Sequence, residues 1–215
     1  MSLLKKLNIV KGDNTIAAEI FESLAPAFNI HKYEKPSDYV RFYWKKYLES
    51  RDRLLDNEQQ KRGVNGKIFE YILATLLINE GIYPIFLGAK VAFVPNINYD
   101  LMLYSTEKGP ICLSAKTSFR ERYKQADLEA VALKFVHRRS LSFLLTLSEE
   151  DANSVNGKQK IGDILGLDKA ICATTPDFDD LIVRLKSFNL IDSPKFDVIS
   201  ATQVINEEVV KKAFS

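Results

Sequence analysis

The chain has 215 residues, of which 46% are hydrophobic and 27% are charged, and its formal net charge is +2. This composition is sufficient for a packed core and excludes a long disordered tract. The near-neutral charge neither requires nor excludes nucleic acid, because local patches of charge matter more than the sum. Two cysteines, Cys112 and Cys172, are too few for a cysteine-rich zinc site and indicate buried thiols in a reducing compartment. The sequence contains no run typical of a signal peptide or a membrane span, so we expect a cytoplasmic protein.

The first 60 residues predict a helical subregion rich in aromatic and basic side chains. A short helix is expected at 15–24, and Pro36 marks the start of a longer one. Residues 64–80 give the clearest helical pattern, because apolar residues recur there at i, i+4 and i+8. Gly81 then provides a typical helix stop.

Short strands are predicted next, at 82–87 and at 90–94. A β-hairpin follows, in which an arm at 99–104 is joined to an arm at 111–116 through a turn at 105–110.

The second half of the chain predicts alternating helices and strands. The elements expected there are a helix at about 121–137, a strand at 141–147, a polar loop at 151–162, a strand at 169–174, a helix at 176–188, a strand at 196–200 and a helix at 204–213. The first of these helices carries its apolar residues on one side, at Leu128, Val131, Ala132 and Phe135. This order of elements predicts an α/β fold with a mixed sheet flanked by helices. We expect one domain over 1–215, with the helical N-terminal subregion at 1–60, the core at 61–200 and a C-terminal helix within 201–215.

The hairpin brings together the residue types of a hydrolytic site. Antiparallel pairing places Asp100, at the start of one arm, near Lys116, at the end of the other. A carboxylate can bind Mg²⁺ through oxygen, and a metal with a lysine favours the charge that develops on an attacked phosphate. Since one carboxylate holds a metal poorly, a second should converge, and Ser114, two residues before the lysine, cannot supply it. The candidates are Glu129 in the following helix and Glu70 in the preceding one.

This arrangement resembles the PD-(D/E)xK nucleases, the fold of most type II restriction endonucleases. In their usual form, a Pro-Asp pair precedes an (Asp/Glu)-x-Lys tripeptide at the end of the next strand. The matching residues here are Tyr99-Asp100 and Ser114-Ala115-Lys116, so the proline is absent and a serine replaces the acid. One branch, whose members cut sites built around CCGG, CCNGG or CCWGG, has Ser-x-Lys and takes its missing acid from the next helix. Glu129, with twelve residues between it and Lys116, matches that relocated acid.

The same branch carries an Arg-(Asp/Glu)-Arg triplet shortly after the lysine, and Arg120-Glu121-Arg122 matches it. Arginine can donate two hydrogen bonds to guanine in the major groove, and glutamate can accept from the cytosine amino group. The resemblance therefore implies that the triplet reads CC and GG. Taken alone, the same residues are also those of an ordinary helix N-terminus with two solvated arginines.

The resemblance implies a restriction-endonuclease-like core and a Mg²⁺-dependent homodimer that hydrolyses double-stranded DNA at a short palindrome. Asp100 and Glu129 would bind the metal, Glu70 would assist, and Lys116 would orient or deprotonate the attacking water. Products would carry 5′-phosphate and 3′-hydroxyl ends. The expected setting is the cytoplasm of a prokaryote, with a DNA methyltransferase as functional partner.

Further DNA contacts are expected from polar and basic residues around the hairpin end: Ser114, Thr117, Ser118 and Lys124. The subregion 1–60 is a candidate for DNA or dimer contacts. Within it, Trp44 would either stack on a flipped base or pack in the core or a dimer interface. Two other functions remain open: a structure-specific or repair nuclease of the same fold, and a non-catalytic DNA-binding module.

Overall fold

A computed structural model of the protein describes residues 2–11, 15–94, 96–117, 122–192 and 199–214. Its α-helices are α1 (Leu3–Lys6), α2 (Ile16–Leu24), α3 (Pro36–Leu54), α4 (Glu58–Asn79), α5 (Arg122–Val136), α6 (Glu149–Lys160), α7 (Pro176–Lys186) and α8 (Glu207–Phe214). Its strands are β1 (Ile85–Val91), β2 (Tyr99–Ser105), β3 (Gly109–Ala115), β4 (Leu141–Thr146), β5 (Lys169–Cys172), β6 (Ile199–Ser200) and β7 (Gln203–Ile205). Within the part of the chain that the structure describes, no helix has the length and apolarity needed to cross a membrane.

The strands form one mixed sheet in the order β5-β4-β3-β2-β1, and β6 and β7 both pair with β1. Pairing is antiparallel between β1, β2 and β3 and parallel between β3, β4 and β5. The parallel pairs require crossover connections, which α5 and α6 supply. The hairpin and the mixed sheet predicted from the sequence are therefore confirmed.

Helices cover both faces of the sheet. The larger core lies on the face of α2, α3, α4 and α7, where sheet residues such as Leu101 and Leu113 are buried. The smaller clusters lie on the opposite face, where α5 and α6 cover residues such as Met102 and Leu144. Helix α4 is the central helix, because apolar residues surround it along most of its length. An Asn57 cap begins this helix, accepting from the Gln60 backbone at 2.8 Å.

The prediction of a loop at 151–162 is wrong, because α6 covers most of this range. Ser148 caps this helix by accepting from the Asp151 backbone at 3.2 Å, and acidic residues fill its first turn. Only Ala152 and Val155 of the helix are buried, so its apolar pattern is too sparse to see in the sequence. Asparagines and a glycine lower the intrinsic helix propensity further.

Two other boundaries differ from the prediction. The strands expected at 82–87 and 90–94 are one strand, β1, because pairing with β2 continues past Gly88 despite its φ of +56°. The helix expected from 204 begins at Glu207, since the residues before it form β7 against β1. The strand expected at 196–200 is described only at its end, as β6.

Helix α5 turns its apolar side outward. Leu128 is 69% exposed and Phe135 is 86% exposed, whereas the buried residues of the helix are Ala126, Ala130 and Leu133. Small alanines allow α5 to approach the sheet closely, and the larger apolar side chains are left on the surface.

Candidate active site

The candidate active site is built around one oxygen of Asp100, at the start of β2. Asp100 Oδ2 accepts from the ammonium group of Lys116 at 2.7 Å. It also accepts from the Ala115 backbone N–H at 3.1 Å and from the Ser114 hydroxyl at 3.3 Å. Three donors on one oxygen fix the orientation of the carboxylate.

The pairing of β2 with β3 explains this contact. Leu101 pairs with Leu113, so Asp100 lies opposite Ser114, with Lys116 just beyond the end of β3. The Lys116 backbone N–H continues the parallel ladder by donating to Leu145 of β4 at 2.9 Å. Both partners of the ion pair are therefore held by the sheet, and their predicted proximity is confirmed.

Glu70 approaches from α4 and shares an open cavity of about 310 Å³ with Asp100. Its carboxylate accepts from Lys67 at 2.7 Å, one helical turn earlier. Burial raises the pKa of Glu70, and the negative charge of Asp100 raises it further, against the opposing charges of Lys67 and Lys116.

Glu129 approaches from α5, on the opposite face of the sheet. Its side chain accepts from Gln125 at 2.8 Å, and its backbone carbonyl accepts from the Tyr99 hydroxyl at 3.1 Å. Burial raises the pKa of Glu129, while the hydrogen bond from Gln125 and the charge of Lys116 lower it and Asp100 raises it. Glu70 of α4 and Glu129 of α5 therefore both interact electrostatically with Asp100 and Lys116.

The donor set fits a hard cation in chemical type, because carboxylate oxygens are the ligands that Mg²⁺ prefers. In the described residues, however, no group of three His, Cys, Asp or Glu side chains converges closely enough to hold a metal ion. Glu70 is engaged with Lys67 and Glu129 with Gln125, and the Lys116 ammonium supplies the positive charge beside Asp100. The predicted metal ligands Asp100 and Glu129 thus interact electrostatically, and in the described residues they belong to no closed metal site.

The predicted DNA-reading residues are described only in part. Arg120, Glu121 and Ser118 lie outside the described residues. Arg122 is the first residue of α5 and is exposed, and Lys124, two residues further along, is also exposed. Thr117 is half-buried directly after Lys116.

Two other candidates for DNA contact have contacts inside the protein. Ser114 is only 5% exposed, and its hydroxyl donates to Asp100, so it positions that carboxylate and has little surface to offer a DNA backbone. Trp44 is partly buried against the main core, with ring centroids 5.3 Å from Tyr47 and 6.3 Å from Phe69. Of the alternatives that the sequence left open for Trp44, this packing corresponds to the one in the core.

Sequence reasoning missed Lys67, which lines the cavity with Glu70 and Asp100. Its signal was present, because a Lys and a Glu three residues apart face each other on a helix. The pattern is common on solvated helices, so the sequence alone does not indicate a functional site. The position of α4 beside the hairpin is what places Lys67 in the cavity with Asp100.

The structure is similar to the solved structure of the restriction endonuclease PspGI in complex with its substrate DNA, with a TM-score of 0.57. The superposition covers 91% of this chain and 86% of the other chain. The chain has the restriction-endonuclease fold. The two sequences are 20% identical, so the similarity shows a shared fold and does not by itself show a shared activity. No protein-family model matches the sequence, and no curated protein matches it either.

Proposed function

We propose that this protein is a type II restriction endonuclease that hydrolyses double-stranded DNA at a short palindrome containing CC and GG. The observation that carries the proposal is the Lys116–Asp100 ion pair of 2.7 Å, placed at the hairpin end of a restriction-endonuclease fold. The proposed setting is the cytoplasm of a prokaryote, where a DNA methyltransferase would protect the host sites.

In this proposal Asp100 and Glu129 hold Mg²⁺, and Glu70 assists as a further carboxylate. When bound, Mg²⁺ would supply positive charge at the scissile phosphate and would lower the pKa of water. Lys116 orients the attacking water and offsets the charge that develops on the phosphoryl oxygens. Ser114 and the Ala115 backbone hold Asp100 in one orientation, which keeps the site preorganised.

Sequence reading is assigned to Arg120, Glu121 and Arg122, just before or at the start of α5. The same helix carries Glu129 two turns later, so a shift of α5 on binding would move the reading and the cutting groups together. This supports a coupling in which incorrect DNA is bound without being cut.

A palindromic site requires two copies of the reading and cutting groups, so we propose a homodimer. The outward face of α5 supports this. Leu128, Val131 and Phe135 form an exposed apolar stripe, and Leu165 lines the same shallow depression as Val131 and Phe135. Contiguous apolar surface of this kind is typical of protein contacts. A second copy docked there would bring the two α5 helices, with their Arg122 residues, to one DNA site.

The experiment that tests the proposed function is the incubation of supercoiled plasmid DNA with the protein in Mg²⁺ and, separately, in EDTA. We expect discrete linear fragments in Mg²⁺ only. Cutting that depends on DNA branching would indicate a structure-specific nuclease of the same fold. Binding without cutting would indicate a non-catalytic module.

A further inference from the structure

A groove leads away from the candidate active site across the N-terminal segment. The cavity that contains Asp100 and Glu70 shares Val10, Lys11 and Thr202 with a second depression. That depression in turn shares Lys5, Asn8 and Val209 with a third one, which reaches α8. The three adjoining depressions, here called the basic groove, extend from Asp100 in the hairpin past α1 to α8.

The basic groove has lysines along its whole length and carboxylates only at its inner end, among the described lining residues. Lysines line it throughout: Lys67 and Lys11 at the cavity, then Lys5, Lys6 and Lys212 further out. Among the described lining residues, the acidic ones are Glu70 and Asp100, both at the inner end. Lys6 and Lys11 are exposed. The groove therefore carries lysines along its length and ends at Asp100, a proposed metal ligand, and at Glu70, the carboxylate proposed to assist it.

The walls of the groove are built into the fold. Leu4 and Leu7 of the N-terminal segment are fully buried, and the Asn8 side chain donates to the Val204 carbonyl at 3.2 Å. On the other wall, the Thr202 hydroxyl donates to the Leu87 carbonyl at 3.1 Å, next to Gly88. These contacts hold the lysines on a preformed surface, so binding there requires little ordering of the chain.

We propose that the basic groove binds the sugar-phosphate backbone of the DNA duplex flanking the cleaved bond. Lysine ammonium groups are compact point charges that bind phosphate without reading bases. The groove therefore adds affinity for flanking DNA of any sequence, and discrimination stays with α5. This inference rests on the proposed function and extends it from the recognition site to the DNA on one side of it.

The test compares the wild-type protein with a Lys6→Gln/Lys11→Gln variant on site-containing duplexes with short and with long flanks, in EDTA. Binding is measured by fluorescence anisotropy at several salt concentrations. For wild type, long flanks should tighten binding about tenfold, and the double substitution should remove that gain. The slope of log affinity against log salt should fall by about 2 for the two lost phosphate contacts. Lys160→Gln is the matched control, because Lys160 is an exposed lysine at the end of α6, on the opposite side of the sheet.

The outcomes separate the two proposals. If wild type binds and cuts DNA while the variant keeps the full flank gain and salt slope, the groove assignment is overturned and the proposed function stands. If wild type neither binds nor cuts any DNA, both are overturned. A hydroxyl-radical footprint of the wild-type protein on DNA tests the inference even if the variant does not fold. Protection of the flanking backbone is expected, and its absence overturns the inference.

Discussion

Lys116 and Asp100 lie 2.7 Å apart at the ends of two neighbouring strands of one hairpin, and each is about one-fifth exposed. The pair is therefore open to solvent on one side and held by the sheet on the other. Both residues interact electrostatically with Glu70 and Glu129, and in the proposed function this group of charges serves hydrolysis.

Replacing Lys116 by alanine should leave the protein folded and able to bind DNA while removing cleavage. Loss of a group that positions water or transfers a proton costs about 10²–10⁴-fold in rate. The measurement is the rate of plasmid linearisation in Mg²⁺, with thermal unfolding as a check of folding. Lys108→Ala, in the turn at the other end of the same hairpin, is the control and should keep the wild-type rate. An active Lys116→Ala enzyme would contradict the assigned role.

Replacing Glu70 by glutamine should stabilise the metal-free protein at neutral pH. Burial raises the pKa of Glu70 in the folded state, so the folded protein binds this proton more readily than the unfolded chain. The stability contribution of Glu70 is then present at low pH and is lost as pH rises through its folded pKa. A neutral glutamine avoids that loss, and its advantage should shrink below about pH 4, where the unfolded carboxyl is also protonated.

Glu107 provides the control of opposite sign. Backbone hydrogen bonds, its own N–H first, lower the pKa of this exposed carboxyl in the hairpin turn. Its contribution is present at neutral pH and is lost as pH falls, so Glu107→Gln should not stabilise the protein. Thermal unfolding in EDTA at neutral and acidic pH compares the two variants, and a Glu70→Gln protein that melts earlier than wild type at neutral pH would refute the prediction.

Replacing Arg122 by alanine should weaken binding to the specific site by about 1–3 kcal/mol while binding to unrelated DNA changes little. Arg122 is exposed at the start of α5, so its loss leaves the core intact. A gel-shift titration with matched specific and nonspecific duplexes measures the two affinities. Equal losses on both duplexes would reassign Arg122 from base reading to phosphate contact.

Replacing Phe135 by aspartate should convert the proposed homodimer into monomers, because it places a charge in the exposed apolar stripe of α5. Phe135 is 86% exposed in the single chain, so the substitution should not disturb folding. Sedimentation velocity measures the oligomeric state. Val183→Asp, at an exposed apolar position on α7 across the sheet, is the control and should remain dimeric. A monomeric wild-type protein would contradict the proposed homodimer, and a Phe135→Asp protein that remains dimeric would place the contact elsewhere.

The hairpin and its ion pair could be predicted because they depend on local rules. Strand alternation and antiparallel pairing fix where Asp100 and Lys116 lie once the two arms are recognised. Helix α4 was equally clear, because its apolar residues outnumber all others along its buried length. The mixed sheet then follows from the order of the elements.

Helix α6 and the contacts of the acidic side chains depend on tertiary structure and could not be predicted. Helix α6 buries only Ala152 and Val155, so packing and a Ser148 cap, more than an apolar pattern, determine it. The following helix and the family resemblance made Glu129 a candidate second carboxylate, but the sequence could not show that its side chain bonds to Gln125. It also could not show that Phe135 of α5 is exposed. Which side of α5 packs on the sheet depends on the room between the helix and the sheet, and that room is set by tertiary structure.

The most direct test of the central claim is a digest of a phage genome with the protein in Mg²⁺, followed by sequencing of the fragment ends. The proposed function predicts discrete fragments that all end within one short palindrome containing CC and GG, and no fragments with Lys116→Ala. Ends scattered over unrelated sequences, or intact DNA after prolonged incubation, would contradict it.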